Sequence, residues 1–376
     1  MKKILFLSVL LFLFISNSDI YAQTQATKDK LVVGVFSGNG ASATCIVETL
    51  EALKIDTGII PIAVSASDIQ SNTLNDIDVL IFPGGSGSKE LNNLGQSGAD
   101  MVHKFVKERG KGIVGICAGG YLLSSTPGYP SLELSSAKNI DRAHYDRGRG
   151  LVEFQLNKEG YQVFPELENN SLFLQYYDGP ILQPVDSLNK KYTELGTYVT
   201  DIHPHKGYPS DITPGKSILL RELIGKGRLF IVTGHPEATP GMRWMVPRMA
   251  RWAANSKLVG YDKKWIRPEL NDSAILFTSD LGKYEKKQYW ALFGDDIEKK
   301  IKAMNNLYKI RSRPAVRWNV GLLRDYNPKI RMKAANLLME TEYTAALPDL
   351  LIAHKIEKDL NTKEQMAKTI EFLSAF

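Results

Sequence analysis

Only two cysteines, Cys45 and Cys117, and six histidines occur among 376 residues. Two cysteines allow at most one disulfide. So few histidines, with no Cys or Asp/Glu pattern around them, speak against a metal centre, even at His203-Pro204-His205. Neither a metal nor any other cofactor is expected. Long apolar runs are equally scarce. The one candidate is Ile4 to Ile15, broken only by Ser8, preceded by Lys2 and Lys3 and followed by Asn17, Ser18 and Asp19. It is too short for a good membrane anchor and reads as a secretory signal over residues 1–22, cleaved after Ala22. The expectation is export to the periplasm or the extracellular space, without stable membrane insertion. Nucleotide fingerprints are missing as well. The turn after the first strand lacks Gly-x-Gly-x-x-Gly, and no Gly-Lys-Ser/Thr stands where a phosphate loop needs it.

A strong charge of one sign is also lacking. The net charge is +6, and the basic excess sits in residues 256–376, interleaved with acids. That pattern reads as a solvated helical face, and no nucleic-acid partner is expected.

What is present begins with residues 23–30, a polar leader, followed by apolar strands alternating with helices. Leu31–Phe36, Ile59–Val64, Ile77–Phe82 and Gly112–Ile116 read as strands, with a helix after Ser42 that carries Ile46, Val47, Leu50 and Leu53, and another over Met101–Arg109. This alternation predicts a parallel sheet flanked by helices, with ligands bound beyond the carboxyl ends of the strands. Gly150–Leu156, Tyr161–Phe164, Leu172–Tyr177, Tyr192–Thr200, Ile218–Leu223 and Leu229–Thr233 read as further strands, with a hairpin turn at Gly225-Lys226-Gly227 and a helix over Met242–Ala254. Pro247 is tolerable only near that helix's first turn.

Chemistry is carried by two short constellations. Gly115-Ile116-Cys117-Ala118-Gly119 places one thiol on a sharp turn between strand and helix. Glycines on both sides let the backbone bend, and a thiol at a helix start gains thiolate character. A buried structural cysteine is the plain alternative. Gly234-His235-Pro236-Glu237 places an imidazole and a carboxylate just past another strand. His235 is suited to take the thiol proton and Glu237 to fix its tautomer. Gly84 and Gly85, after the third strand, together with Ala118, offer backbone N–H groups for an oxyanion. The loop Asp141–Gly150 holds Arg142, His144, Arg147 and Arg149, and is either an anion-binding loop or a solvated one. His144 is an alternative base.

These motifs, with Phe82-Pro83-Gly84-Gly85 before them, resemble the class I glutamine amidotransferase superfamily over residues 31–255. The resemblance implies a flavodoxin-like sheet and a Cys-His-Glu triad that hydrolyses an amide through a thioester. Within the superfamily, the Gly-Ile-Cys-Ala-Gly-Gly-Tyr elbow, Ser37-Gly38-Asn39-Gly40, Arg147–Val152 and Tyr176–Pro180 look most like the biotin–protein ligase N-terminal-type domain. Glutamine-using members usually carry Gln four residues after the cysteine. Here that position is Tyr121. The chemistry of a hydrolase is therefore implied more firmly than glutamine as its substrate.

Residues 256–283 read as a connector and residues 284–376 as helical. Asp325-Tyr326-Asn327-Pro328 and Asp359-Leu360-Asn361-Thr362 each precede a helix-like stretch, and their spacing resembles HEAT-type repeats. The tail is either a protein-partner surface or a cap on the first domain. Three readings stand: an exported cysteine hydrolase acting on a small-molecule or peptide amide; a non-catalytic binding or sensing module; and a structural protein with a Cys45–Cys117 disulfide.

Overall fold

The computed structural model describes residues 30–376. The expected signal and nearly all of the leader lie outside the described residues. Strand β1 (Leu31–Phe36) leads through α1 (Ala43–Leu53) to β2 (Ile59–Val64), and α2 (Ala66–Gln70) to β3 (Val79–Phe82). Helix α3 (Gly87–Lys107) connects β3 to β4 (Gly112–Ile116), and α4 (Ala118–Leu123) follows at once. β3 and β4 are buried at every residue, as strands covered on both faces must be. Then come β5 (Ala137–Asn139), β6 (Arg149–Leu156), α5 (Lys158–Val163), β7 (Leu172–Tyr177), β8 (Leu182–Pro184), β9 (Thr193–Tyr198), β10 (Ser217–Ile224), β11 (Gly227–Val232) and α6 (Met245–Ala253).

The sheet runs β12-β6-β9-β10-β11-β4-β3-β1-β2, where β12 is Ile275–Leu276. Only the half from β2 to β11 is parallel. The other half, from β11 to β12, is antiparallel, so the sheet is mixed where a parallel one was expected, and the change begins at the hairpin read at Gly225-Lys226-Gly227. The cause is local. The turn Gly225-Lys226, with Gly225 at φ 58°, folds β10 directly back on β11, and a two-residue connection permits only an antiparallel pair.

Two other readings are corrected. Tyr161–Phe164 is not a strand, because Asn157 accepts a hydrogen bond from Gly160 N–H and starts α5 across it. The helix expected at Met101 starts at Gly87 and passes a kink at Gly95. The connector is partly built into the fold, since Ile275 and Leu276 pair with Leu151 and Gly150. Pro247, by contrast, does fall in the first turn of its helix, where its missing N–H costs nothing.

Two buried clusters pack against the sheet, one including Val114, Phe230, Trp244 and Met249, the other Phe36, Phe105, Leu122 and Ile231. Each fully buried side chain of this size contributes about 1.5 to 3 kcal/mol. The C-terminal part is helical: α7 (Ser279–Leu292), α8 (Ile297–Lys309), α9 (Arg313–Leu322), α10 (Pro328–Glu340), α11 (Leu347–Ile356) and α12 (Leu360–Ser374). Asn327 and Asp359 cap α10 and α12, and these two helices pack together around a separate apolar core. Among the described residues no helix is long and apolar enough to cross a membrane.

The helical part is tied to the sheet by buried ion pairs. Glu342 accepts from Gly241 N–H at 2.9 Å and from Arg267, while its carbonyl accepts from Arg243. Glu285 takes Arg149.

Candidate active site

The parallel half of the sheet places three loops on one edge. β3, β4 and β11 are neighbours running the same way, so the residues after each emerge together: Gly84 and Gly85, Cys117, and His235. Cys117 sits at φ 50° and ψ −104°, a backbone region unfavourable for a residue with a Cβ. The turn is held by Cys117 N–H donating to Val232 O at 2.9 Å and Gly120 N–H donating to Cys117 O at 2.8 Å. The flanking glycines are required by space. A Cβ on Gly119 would stand 2.1 Å from Phe82 O, and one on Gly115 2.7 Å from the Gly119 carbonyl carbon.

His235 is fixed by its backbone, whose N–H donates to Gln175 O on β7 at 2.7 Å, and Thr239 Oγ1 donates to its carbonyl at 2.7 Å. Its Nδ1 lies 2.6 Å from Glu237 Oε1. Both residues are only 1 % exposed. With the carboxylate accepting at Nδ1, the proton belongs there, and Nε2 is left with no protein partner. Burial pushes the Glu237 carboxyl up, but the charge and hydrogen bond of His235, aided by Arg313, outweigh it and hold the group below the usual carboxylate range. Burial likewise pushes the imidazole down. The negative charge of a Cys117 thiolate and of Glu237 overcomes it, together with repulsion from Arg313, and holds His235 well above its ordinary value.

A cavity of about 600 Å³ opens over these groups. Cys117, Gly85, Ala118, Tyr121 and His235 all line it. Gly84 lies directly beneath, where a Cβ would stand 2.7 Å from His235 Cε1. Glu237 stands behind the imidazole. Tyr121, Tyr129 and Tyr145 form a mutually packed aromatic wall with ring centroids 5.4 to 5.6 Å apart. Burial first, then nearby Cys117, raises the Tyr121 phenol well above its ordinary value, so it stays neutral. The Cys117 thiol donates to Tyr177 O at 3.2 Å.

The two arginines expected to bind an anion are spent elsewhere. Arg147 is buried against Asp141 and donates to Ile202 O at 3.3 Å. Arg149 pairs with Glu285 and donates to Tyr177 Oη at 3.1 Å. Their charges are neutralised within the fold, and neither lines the cavity. His144 bonds Asp141 at 2.9 Å, away from the thiol, and His203 bonds Asp201 at 2.6 Å. Both cysteines are free, which removes the disulfide reading.

One member of the site was read from the sequence only as a disulfide partner, and a second was not read at all. Cys45, on α1, lines the cavity. So does Arg313, the first residue of α9, whose guanidinium reaches Cys45, Glu48 and Glu237. Its delivery is specific. Arg311 O accepts from Gln175 Nε2 at 3.1 Å, and Ser312 Oγ donates to Glu285 Oε1 at 2.5 Å. The first bond pins the start of α9 to β7, and the second ties it to α7, whose Glu285 in turn holds Arg149 of β6. Nothing local to Arg313 in the sequence marks it, because the partners that give it a role come from other elements.

Residues 31–135 match the family described as Biotin-protein ligase, N terminal. The match runs from β1 past α4 and contains Cys117 but not His235. No curated protein matches the chain. Among solved structures, a β-galactosidase from Bacillus circulans sp. alkalophilus is 14 % identical over 61 % of this chain and 32 % of its own, with a TM-score of 0.36. A cytoplasmic protein from Salmonella typhimurium is 13 % identical over 60 % of this chain and 97 % of its own, with a TM-score of 0.40. A glutamine amido transferase from Methylobacillus flagellatus is 12 % identical over 57 % and 73 %, with a TM-score of 0.35. The chain thus spans about a third of the β-galactosidase. At these scores none of the three bears on what the chain does.

Proposed function

We propose that this chain is an exported cysteine-dependent hydrolase of amide C–N bonds, with Cys117 as nucleophile, His235 as acid and base, and Glu237 as the group that orients His235. One observation carries the reading. A strained, cavity-lining thiol shares its cavity with an imidazole whose Nδ1 is engaged by a buried carboxylate at 2.6 Å and whose Nε2 has no protein partner. Export is supported by Lys2, Lys3 and the apolar run from Ile4 to Ile15.

In this mechanism His235 Nε2 removes the thiol proton, and the sulfur attacks the amide carbon. Backbone N–H groups of Gly85 and Ala118 face the developing oxyanion. The tetrahedral intermediate collapses as His235 passes its proton to the amine, which leaves. Water, deprotonated by the same nitrogen, then resolves the thioester. Glu237 stays ionised throughout and stabilises the imidazolium. A cavity of about 600 Å³ is in the range that holds a small-molecule or short peptide amide. Tyr121, where glutamine-using relatives carry Gln, favours a substrate other than glutamine.

The test is a panel of amide substrates assayed with the wild-type chain, Cys117→Ala and His235→Ala. Turnover lost in both variants supports the reading. Turnover unchanged in Cys117→Ala refutes it. One observation favours the second reading, a binding or sensing module. The Cys117 sulfur has a carbonyl acceptor, Tyr177 O at 3.2 Å, which holds the thiol in its protonated form. Tight ligand binding without turnover, equal in wild type and Cys117→Ala, would select it.

A further inference from the structure

Cys45 has no part in the chemistry above, yet it shares the cavity. It is 5 % exposed, on the first turn of α1, and lines the space beside His235 and Arg313. Arg313 Nη2 donates to Cys45 Sγ at 3.3 Å. The sulfur, a ring nitrogen of His235 and a carboxylate oxygen of Glu237 lie within 4.8 Å of one another. A cation already stands among these groups. The same Arg313 nitrogen reaches Glu48 and, at 3.5 Å, Glu237 Oε1. The cluster is thus a thiol paired with a guanidinium, with the unpartnered, buried Nε2 of His235 in the same cavity. On the backbone side Gly84 closes the approach, since even a Cβ there would stand 2.8 Å from the sulfur. The cavity gives a reagent access to Cys45.

We propose that Cys45 is a second nucleophilic site of this cavity, open to small soft carbon electrophiles, and that Arg313 of the helical part is the residue that holds its thiolate. The charged groups around it act in both directions. Arg313 and His235 favour the thiolate, while Glu48 and Glu237 oppose it, and Glu90, pushed up to about 8 by burial, adds its charge only at the alkaline end. Burial is the largest opposing influence, yet Arg313 and His235 together hold the thiol below its ordinary value. In the reaction a sulfur–carbon bond forms as the bond from that carbon to its leaving group breaks. With iodoacetamide, iodide departs and the thiol proton goes to solvent. The site does not depend on whether Cys117 hydrolyses an amide.

The experiment is alkylation by iodoacetamide between pH 5 and 9, read by peptide mapping in the mass spectrometer. Cys117→Ser isolates Cys45, and Cys45→Ser isolates Cys117. In Cys117→Ser, Cys45 is expected to react in the folded protein with a midpoint below that of an ordinary thiol, about 8.5. Adding Arg313→Met should raise the midpoint and slow the reaction at pH 7 by about tenfold for each unit of upward shift. Arg313→Lys, which keeps the charge, should restore part of the rate and covers the case in which the methionine variant fails to fold. The proposal is overturned if Cys45 reacts only after unfolding in urea. It is equally overturned if folded Arg313→Met leaves both midpoint and rate unchanged, or if Arg313→Lys, with its charge kept, reacts with the midpoint of an ordinary thiol. Loss of Cys117 labelling in Cys45→Ser, with Cys45 labelling intact in Cys117→Ser, would refute the proposed triad and leave this site standing.

Discussion

Gly84→Ala tests the site with a single methyl group. The added Cβ would stand 2.7 Å from His235 Cε1 and 2.8 Å from Cys45 Sγ, and ordinary contact begins at 3.4 Å. The imidazole would have to retreat by about 0.7 Å, the difference between those contact distances. It has little room, because Glu237 holds Nδ1 at 2.6 Å and the His235 backbone is bonded at both its N–H and its carbonyl. Overpacking of this kind costs about 1 to 3 kcal/mol. In a domain of this size that lowers the melting temperature by about 2 to 4 °C per kcal/mol. Misplacing a catalytic group by about 1 Å costs up to about 100-fold in rate. The expected result is a modest fall in melting temperature and a fall of about 10- to 100-fold in the rate at which Cys117 is alkylated at pH 7. Thermal unfolding and peptide-mapped alkylation measure the two. A folded Gly84→Ala chain that labels at the wild-type rate with an unchanged melting temperature would refute the placement of His235 over Gly84.

Two further perturbations follow from the buried ion pairs. Glu237→Gln keeps the shape but removes the charge facing His235, and should cost about 1 to 3 kcal/mol. His235, held above its unfolded value, contributes stability that is fully present below about pH 6.5 and is lost as pH rises through its folded value. Glu237, held below its unfolded value, contributes stability present above about pH 4.3 and lost as pH falls. The gap between wild type and variant in urea midpoint should therefore be widest between those two values; a gap independent of pH would count against the pair. Glu342→Ala removes the buried carboxylate that takes Gly241 N–H and Arg267, leaving a buried N–H without its acceptor and a half-buried cation without its partner, at about 1 to 3 kcal/mol. Denaturant unfolding should show the helical part destabilised against the sheet, and Arg313, carried on that part, should lose its hold, so that Cys45 labelling at pH 7 slows. Labelling at the wild-type rate would mean that α9 is held by its own contacts to Gln175 and Glu285.

Where a group's role depends on its immediate neighbours along the chain, the sequence alone determined it. The apolar runs of β1, β3, β4 and β11 announce strands buried on both faces. Gly115 and Gly119 around Cys117 announce a turn that only glycines can flank, and the structure supplies the reason in the 2.1 Å approach of a Gly119 Cβ to Phe82 O. His235 and Glu237, two residues apart on either side of a proline, were legible as a pair for the same reason. Tertiary structure alone decided the rest. The hairpin at Gly225-Lys226 was legible, but the antiparallel order of β9, β6 and β12 beyond it was not, since alternation of strands and helices does not say how distant strands pair. Asp141 and Glu285 neutralised Arg147 and Arg149, two arginines that by sequence looked free to bind an anion. Cys45 and Arg313 lie 268 residues apart and on different layers, yet stand 3.3 Å from each other. Pairing at that distance depends on where two independently formed elements come to rest, and no local pattern of residues encodes it.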